Sequence, residues 1–299
     1  MVRKLIILLK KDYGQLGNRL HTHSNIIAWC LEHGYPLLNL SFLVYANQFS
    51  TFNNYPIDRL WNTSSISQHL LRFSPIIKLL NKISLSQKWL KRFKRWIFVL
   101  DIEDNHSLSE ITLNKHVKLH IQKKIILIRA WDLSCPHLVT KHQNQIRKIF
   151  TPKAVFEENA QLKITGLRKK FDCVVGVHAR RGDYKEYLGG IHFHSWNSYR
   201  NWIIQTQNLI EGNGKGRVGF LLCSDENPQN SKLDDLPVSF GDSKSVITDL
   251  YALSLCDYNI GPPSSFGTWL SWHGRVPRFQ ISKGAIIECI DQFVISSEC

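Results

Sequence analysis

The stretch VVGVHARRGDY, residues 174–184, decides how the rest of the chain is interpreted. Its valine-rich start predicts a buried strand, and charged residues follow as soon as the apolar run ends. In open α/β sheets, ligands bind outside the carboxyl ends of the strands, and two neighbouring guanidinium groups there suit a diphosphate. The alternative is a surface strand end at which Arg181 and Asp183 pair in solvent.

The sequence after this stretch alternates between strand and helix patterns, which predicts a parallel sheet with helices on both faces. Three of the strands are followed by polar loops, at residues 178–183, 224–226 and 264–266. Because the carboxyl ends of parallel strands meet at one edge of a sheet, we expect these loops to converge there. Together they favour a nucleotide pocket.

Individual residues in these loops have two interpretations each. Ser264 and Ser265 can offer hydroxyl groups and helix N-terminal amides to a phosphate, and Asp225 can accept hydrogen bonds from guanine. Alternatively, Ser265 is only a helix N-cap, and Asp225 caps the turn before Pro228.

The chain begins with a strand, a glycine loop and a helix. An apolar run at residues 5–9 predicts the strand, the turn after it contains Gly14 and Gly17, and Gly34 ends the helix. Such a loop allows close approach of a phosphate or a sugar and directs the helix N-terminus at anions. Glycine turns of this kind are also ordinary connectors, so the pattern alone leaves both interpretations open.

The net charge of +14 comes entirely from the first part of the chain. Residues 1–166 contain 24 Lys and Arg against 10 Asp and Glu, and the remainder contains 14 of each. Residues 72–95 contain basic residues, interleaved apolar side chains and no acidic residue, a pattern typical of segments that bind anionic membrane surfaces. The alternative is a solvated helix whose other face packs on the core.

The cysteines and the N-terminus predict a cytoplasmic protein. Seven cysteines lie far apart, which is typical of reduced thiols rather than of a disulfide framework or a zinc ribbon. The opening apolar run is too short for a signal sequence, and no run is long enough to span a bilayer. A metal site at Asp101, Glu103 and Asp104, after a predicted strand, is a weaker alternative because these residues do not form an Asp-x-Asp pair.

Three motifs in this chain resemble the α-1,2-fucosyltransferases of glycosyltransferase family 11. HARRGDY, residues 178–184, is similar to the HxRRxDY motif of that family, which α-1,6- and protein O-fucosyltransferases share in looser form. GQLGNRL, residues 14–20, is similar to the family's GxLGNQM loop, and residues 249–274 are similar to its carboxy-terminal block with the SSF sequence. The motifs occur in the family's order and spacing.

The resemblance implies a GT-B architecture, in which two Rossmann-like α/β domains face each other across a cleft. Residues 1–165 would form the acceptor-side domain, and residues 166–299 would bind the GDP-sugar. The enzyme would transfer fucose from GDP-fucose to a glycan hydroxyl, in an α-1,2 linkage, with inversion and with neither a metal nor a cofactor. Polysaccharide biosynthesis is the process that this activity would serve.

The resemblance also assigns roles to individual residues. Arg180 would bind the β-phosphate and stabilise the departing GDP, since a preorganised guanidinium can replace Mg²⁺. Arg181 and Asp183 would form a pair that supports the loop. The other donor-binding positions, for guanine, diphosphate and donor sugar, would be His178, Asp225, Ser264, Ser265, Phe266, Gly17 and Asn18.

The general base that accepts the acceptor's proton has several candidates. The sequence offers the carboxylates of Asp183, Glu186 and Asp12 and the imidazole of His21, and it does not rank them.

Two further alternatives stay open at the level of sequence. The donor could be another GDP-sugar, or the chain could be a non-enzymatic basic protein that binds nucleic acid or a membrane surface. The enzyme interpretation predicts no nucleic-acid partner. It pairs a GDP-sugar with a glycan or lipid-linked glycan, and residues 72–95 would then hold the protein peripherally at the inner membrane face.

Overall fold

The computed structural model describes residues 5–8, 14–39, 41–50, 95–102, 107–120, 122–130, 132–228, 233–242 and 244–297. The chain divides into two compact units, Met1–Thr151 and Pro152–Glu298. The boundary precedes the predicted one at 165/166, because the helix Ala154–Arg168 packs against elements of the second unit. No described helix is both long and apolar enough to cross a membrane.

The first unit contains a four-stranded parallel sheet with the order β2-β1-β5-β3. Its described strands are Leu5–Leu8 (β1), Leu37–Asn39 (β2), Ile97–Asp101 (β3), Leu108–Ser109 (β4), Ile125–Arg129 (β5) and Leu133–Ser134 (β6). Its described helices are Leu16–His33 (α1), Leu43–Ala46 (α2), Glu110–Leu119 (α3), Pro136–Lys141 (α4) and Gln143–Ile149 (α5). Strands β4 and β6 pair with each other outside the main sheet.

The second unit contains a five-stranded parallel sheet with the order β11-β10-β7-β8-β9. Its strands are Cys173–Ala179 (β7), Val218–Ser224 (β8), Val238–Phe240 (β9), Tyr258–Gly261 (β10) and Arg278–Gln280 (β11). Its helices are Ala154–Arg168 (α6), Trp196–Gly212 (α7), Val246–Leu253 (α8) and Ser265–Gly274 (α9). The predicted alternation of strands and helices is therefore present.

The valine-rich stretch forms the centre of the second sheet. All seven residues of β7 are buried, as expected for a strand with neighbours on both sides and helices on both faces. Side chains of β7 and β8 pack with Tyr199, Trp202 and Ile203 of α7 in the main core cluster of this unit. This packing fixes the carboxyl end of β7, where the charged stretch begins.

Two local predictions for the first unit have different outcomes. Gly34 ends α1 in the left-handed conformation (φ 65°), as the sequence predicts. The stretch at residues 37–56 predicts one or two strands with an aromatic, Asn-rich loop, and among its described residues Leu37–Asn39 is a strand and α2 follows it. The Asn39 side chain accepts hydrogen bonds from the amides of Ser41 and Phe42, which turns the chain away from an extended path.

Candidate functional site

Three polar loops lie together at the carboxyl edge of the second sheet. Strand β7 pairs with β8 on one side and with β10 on the other, so the loops that follow them are neighbours. In register, Ala179 of β7 is opposite Ser224 of β8, directly before the polar residues of both loops. The arrangement corresponds to the ligand-binding edge of open α/β sheets.

Arg180 is the first charged side chain after β7, and Asp183 holds it in place. Its Nε donates to one carboxylate oxygen at 2.9 Å, and its Nη2 donates to the other at 2.5 Å. The guanidinium also lies 5.1 Å from the ring centre of Tyr184. Nη1 makes no hydrogen bond to a described residue, so the guanidinium keeps N–H donors for a ligand.

The pairing of Arg180 with Asp183 bears on the choice of a general base. Hydrogen bonding to Arg180 lowers the pKa of Asp183, although partial burial acts in the opposite direction. A carboxylate with a lowered pKa is a poor proton acceptor. The geometry therefore assigns Asp183 an orienting contact with Arg180.

Arg181 is buried and supports the loop through residues other than Asp183. Its Nε donates to Glu226 at 2.8 Å, and its Nη1 donates to the backbone oxygen of His194. The guanidinium lies between the rings of Phe193 and Trp196, 4.6 and 4.5 Å from their centres. The expected pair of Arg181 with Asp183 is wrong, because Asp183 pairs with Arg180 and Arg181 pairs with Glu226.

Asp225 binds the backbone of the charged loop. One carboxylate oxygen accepts the amide of Arg181 at 2.7 Å, and both oxygens lie 3.1 Å from the amide nitrogen of Gly182. A carboxylate that accepts these amides fixes the loop after β7 and has less capacity left for a ligand. A contact of Asp225 with guanine stays a prediction.

His178 and the start of α9 meet at the same edge. The Nδ1 of His178 lies 3.4 Å from the hydroxyl oxygen of Ser264, and its ring packs on that of Phe266 with 4.7 Å between centres. Burial, together with the nearby Arg278 and Arg180, lowers the pKa of His178 to about 3. The imidazole is therefore neutral at ordinary pH.

Ser264, rather than Ser265, is the N-cap of α9, which corrects one of the two sequence interpretations. Its hydroxyl accepts the amide of Gly267 at 2.9 Å. Ser265 is the first residue of the helix.

Glu186 is exposed on the loop beyond Asp183 and makes no ion pair with a described residue.

Arg278 and Tyr184 also contribute to this edge, and sequence reasoning missed Arg278. Its guanidinium is 5% exposed and donates from Nη2 to the backbone oxygens of Gly261 and Pro262. The hydroxyl of Tyr184 donates to the oxygen of Pro263 at 2.5 Å. The available signal was a charged residue within the apolar pattern of VPRFQI, an unusual position for arginine in a strand.

The predicted residues of the first unit lie at the start of α1. Gly17 is buried, and Asn18 accepts the hydroxyl of Thr22 through its backbone oxygen. His21 Nε2 lies 3.3 Å from Asp132, which follows β5, and a hydrogen bond to His21 lowers the pKa of Asp132. Asp132 was missed, although it also lies just after a strand.

The remaining sequence predictions are only partly within the described residues. Asp12, Glu103, Asp104 and residues 72–94 lie outside them. Asp101 pairs with Arg129 at 2.7 Å. Among the residues that the structure describes, no group of three or more His, Cys, Asp and Glu side chains could hold a metal ion.

Comparison with known proteins supports the same interpretation. The chain is 25% identical over 280 residues to an α-1,2-colitosyltransferase of Escherichia coli, covering 89% of this chain and 87% of that protein. It is 26% identical over 141 residues to galactoside α-(1,2)-fucosyltransferase 1 of Bos taurus, covering 44% of this chain and 39% of that protein. The predicted resemblance to the fucosyltransferases is confirmed. No protein-family model matches the chain.

Solved fucosyltransferases share its fold. The GDP complex of a FUT1 variant from Arabidopsis thaliana superposes with a TM-score of 0.58 at 11% identity, covering 94% of this chain and 71% of that one. A GDP complex of POFUT1 gives 0.55 at 13%, covering 93% and 98%. NodZ from Bradyrhizobium gives 0.50 at 13%, covering 96% and 97%. The prediction of a GT-B α/β fold is confirmed by these structures, and that of a fucosyltransferase-like enzyme is confirmed by the two curated relatives.

Proposed function

We propose that this protein is an inverting glycosyltransferase that moves fucose, or a closely related sugar, from its GDP ester to a glycan hydroxyl in an α-1,2 linkage. The observation that carries the proposal is the Arg180 guanidinium, held by Asp183 at the carboxyl end of β7 with Nη1 available. The 1,2 linkage is supported by the names of both curated relatives. The GDP ester is supported by the GDP complexes of proteins with this fold.

The chemistry of the transfer explains why such a guanidinium is useful. Breaking the bond between the anomeric carbon and the diphosphate builds positive charge on the sugar and negative charge on the leaving group. A guanidinium that is already oriented stabilises the developing negative charge without reorganisation. We assign this role to Arg180, and we assign Asp183 the role of fixing its orientation.

Residues around Arg180 would bind the rest of the donor. Ser264 and the first amides of α9 face the edge at which a diphosphate would lie, and helix N-termini favour anions. The neutral His178 can exchange hydrogen bonds with the nucleotide without adding charge. Gly17 and Asn18 are proposed to contact the donor sugar, on the basis of the motif that they share with the family.

His21 is our preferred general base among the described candidates. Asp132 orients its imidazole, which is the relation between carboxylate and histidine that serves proton transfer in many enzymes. Asp183 is disfavoured by its pairing with Arg180. Glu186 has no ion-pair partner among the described residues that would orient it.

A donor and linkage assay tests the proposal. The purified protein is incubated with GDP-fucose, GDP-colitose or a UDP-sugar and a galactoside acceptor, and the product linkage is read by NMR. We expect a 1,2-linked product from a GDP-sugar, formed equally well with and without EDTA. Transfer from the UDP-sugar alone would contradict the proposal, and so would a thermal shift with an oligonucleotide but not with GDP.

We further propose that residues 72–95 bind the anionic inner face of a membrane, where a lipid-linked acceptor would be presented. The support is compositional, since the segment combines basic and apolar residues without acidic ones. The test is sedimentation with liposomes that contain anionic lipid. Replacing the lysines and arginines of the segment with glutamine should abolish sedimentation, and unchanged sedimentation would disprove the proposal.

A further inference from the structure

Arg278 lies at the first residue of β11, beneath the turn that joins β10 to α9. Its guanidinium is 95% removed from solvent and packs so closely on the first turn of α9 that a Cβ at Gly267 would lie 2.7 Å from its Cζ. Only a glycine at that position leaves room for the guanidinium. The positive charge of Arg278 therefore lies directly against the turn that carries Ser264.

Two backbone oxygens hold this guanidinium, and no carboxylate of a described residue pairs with it. Nη2 donates to the oxygens of Gly261 and Pro262, the two residues that begin the turn. Within the described part of the chain, Arg278 makes no ion pair, whereas the neighbouring Arg180 and Arg181 each have a carboxylate partner. Burial lowers the pKa of Arg278 to about 10, which still leaves it charged at neutral pH.

A buried cation without a counter-charge is costly, and an apolar residue of similar size commonly gives an equal or greater stability. The location makes the cost larger, because the N-terminus of α9 contributes partial positive charge beside the guanidinium. An anion bound over the turn would balance both the guanidinium charge of Arg278 and the partial positive charge of the helix N-terminus. Arg278 therefore has the position expected of a residue that prepares the turn for a strongly charged ligand.

We propose that Arg278 is the buried counter-charge of the donor's diphosphate and the positioning residue of the turn that carries Ser264. The inference rests on the proposed function, since a GDP-sugar supplies the anion. It goes further in assigning phosphate recognition to a side chain in the last strand of the sheet, outside the motifs that resemble the family. Arg278 acts through charge and through the turn, without itself contacting the reacting atoms.

The test compares a charged ligand with its uncharged counterpart. Binding of GDP and of guanosine is measured by calorimetry for the unaltered protein and for Arg278→Gln, which keeps an N–H donor for the carbonyl oxygens but removes the charge. We expect GDP affinity to fall about tenfold, the order expected for a charge at this depth, while guanosine affinity changes less than twofold. Arg278→Lys should recover most of the GDP affinity.

Arg217→Gln is the matched control, because it removes the same charge from an exposed side chain just before β8, at the opposite edge of the sheet. It should leave both affinities unchanged. Equal losses for GDP and guanosine in Arg278→Gln would reduce Arg278 to a structural contact and overturn the inference, as would no loss of either.

If Arg278→Gln does not fold, Arg278→Lys tests whether the charge at this position contributes to GDP binding. A folded Arg278→Lys with GDP affinity near that of the unaltered protein supports the charge role, and a tenfold loss confined to GDP overturns it. Failure of the unaltered protein to bind GDP would overturn the proposed function, and this inference with it.

Discussion

Both main sheets of this protein are parallel, but the described residues at their carboxyl edges differ in chemistry. Among the described residues of the first unit, Arg129 pairs with Asp101 at the ends of two strands, and Asp132 lies 3.3 Å from Nε2 of His21 in α1. In the second unit, Arg180 keeps Nη1 for a ligand, and Arg278 is buried without a carboxylate among the described residues.

This difference separates the tasks of the two units. Guanidinium groups with N–H donors left over recognise an anion, and the second unit therefore has the chemistry of a diphosphate site. In the first unit, Asp132 is placed to orient His21, an arrangement suited to accepting a proton from a sugar hydroxyl. The comparison predicts that substitutions of Arg180, Arg278 and Ser264 change donor use and that substitution of Asp132 changes acceptor chemistry.

The largest effect is expected at Arg180. Arg180→Ala removes the group assigned to the leaving diphosphate, so kcat/KM for the GDP-sugar should fall roughly 10³-fold, as for the loss of one oxyanion donor. Arg180→Lys keeps the charge but loses the bidentate contact with Asp183, and it should recover only part of the activity. Steady-state kinetics with varied donor measures both.

Arg217→Ala is the control for Arg180→Ala, since it removes an exposed arginine just before β8, at the opposite edge of the sheet from the polar loops. Wild-type rates in Arg180→Ala would contradict the proposed difference between the two carboxyl edges, because donor use would then not depend on the Arg180 guanidinium.

An intermediate effect is expected at Asp132. Asp132→Asn keeps the shape of the side chain but removes the charge that orients His21, so kcat should fall about 10- to 100-fold if His21 is the base. The KM for the donor should stay the same, because Asp132 is not among the residues proposed to bind the donor. Asp101→Asn, which breaks the ion pair with Arg129, should leave kcat within about twofold.

The rate with water as acceptor sharpens this prediction. Hydrolysis of the donor should fall with transfer if His21 activates whichever nucleophile is bound. An Asp132→Asn protein with normal kcat would assign the pair of His21 and Asp132 to structure alone.

The sequence predicted those parts of the site that depend on local pattern. The valine run identified β7 because a strand buried on both faces needs continuous apolar residues, and each strand end then located a polar loop. The convergence of the loops followed from the parallel topology. Gly34 was predictable because the end of α1 needs a left-handed residue.

Side-chain partners in the site were not predictable in this way. The sequence places Arg181 two residues from Asp183 and Arg180 three residues away, and only the turn geometry decides that Arg180 is the partner. Arg278 is distant in sequence from its contacts at Gly261 and Pro262, so no local pattern joins them. Such contacts depend on tertiary packing, which the order of residues does not reveal.

The smallest effect compares two helix N-caps, one in each unit. Ser264 caps α9 by accepting the amide of Gly267 at 2.9 Å, and Ser109 caps α3 by accepting the amide of Thr112 at 3.3 Å. Alanine at either position should cost about 1 kcal/mol of unfolding free energy, measured by urea titration. Only Ser264→Ala should also weaken GDP binding, by a few-fold, because its hydroxyl lies beside His178 at the proposed donor site. Equal GDP affinity in the two variants would mean that Ser264 acts as a cap alone, and the diphosphate would then have to be held by the guanidinium groups and the helix amides.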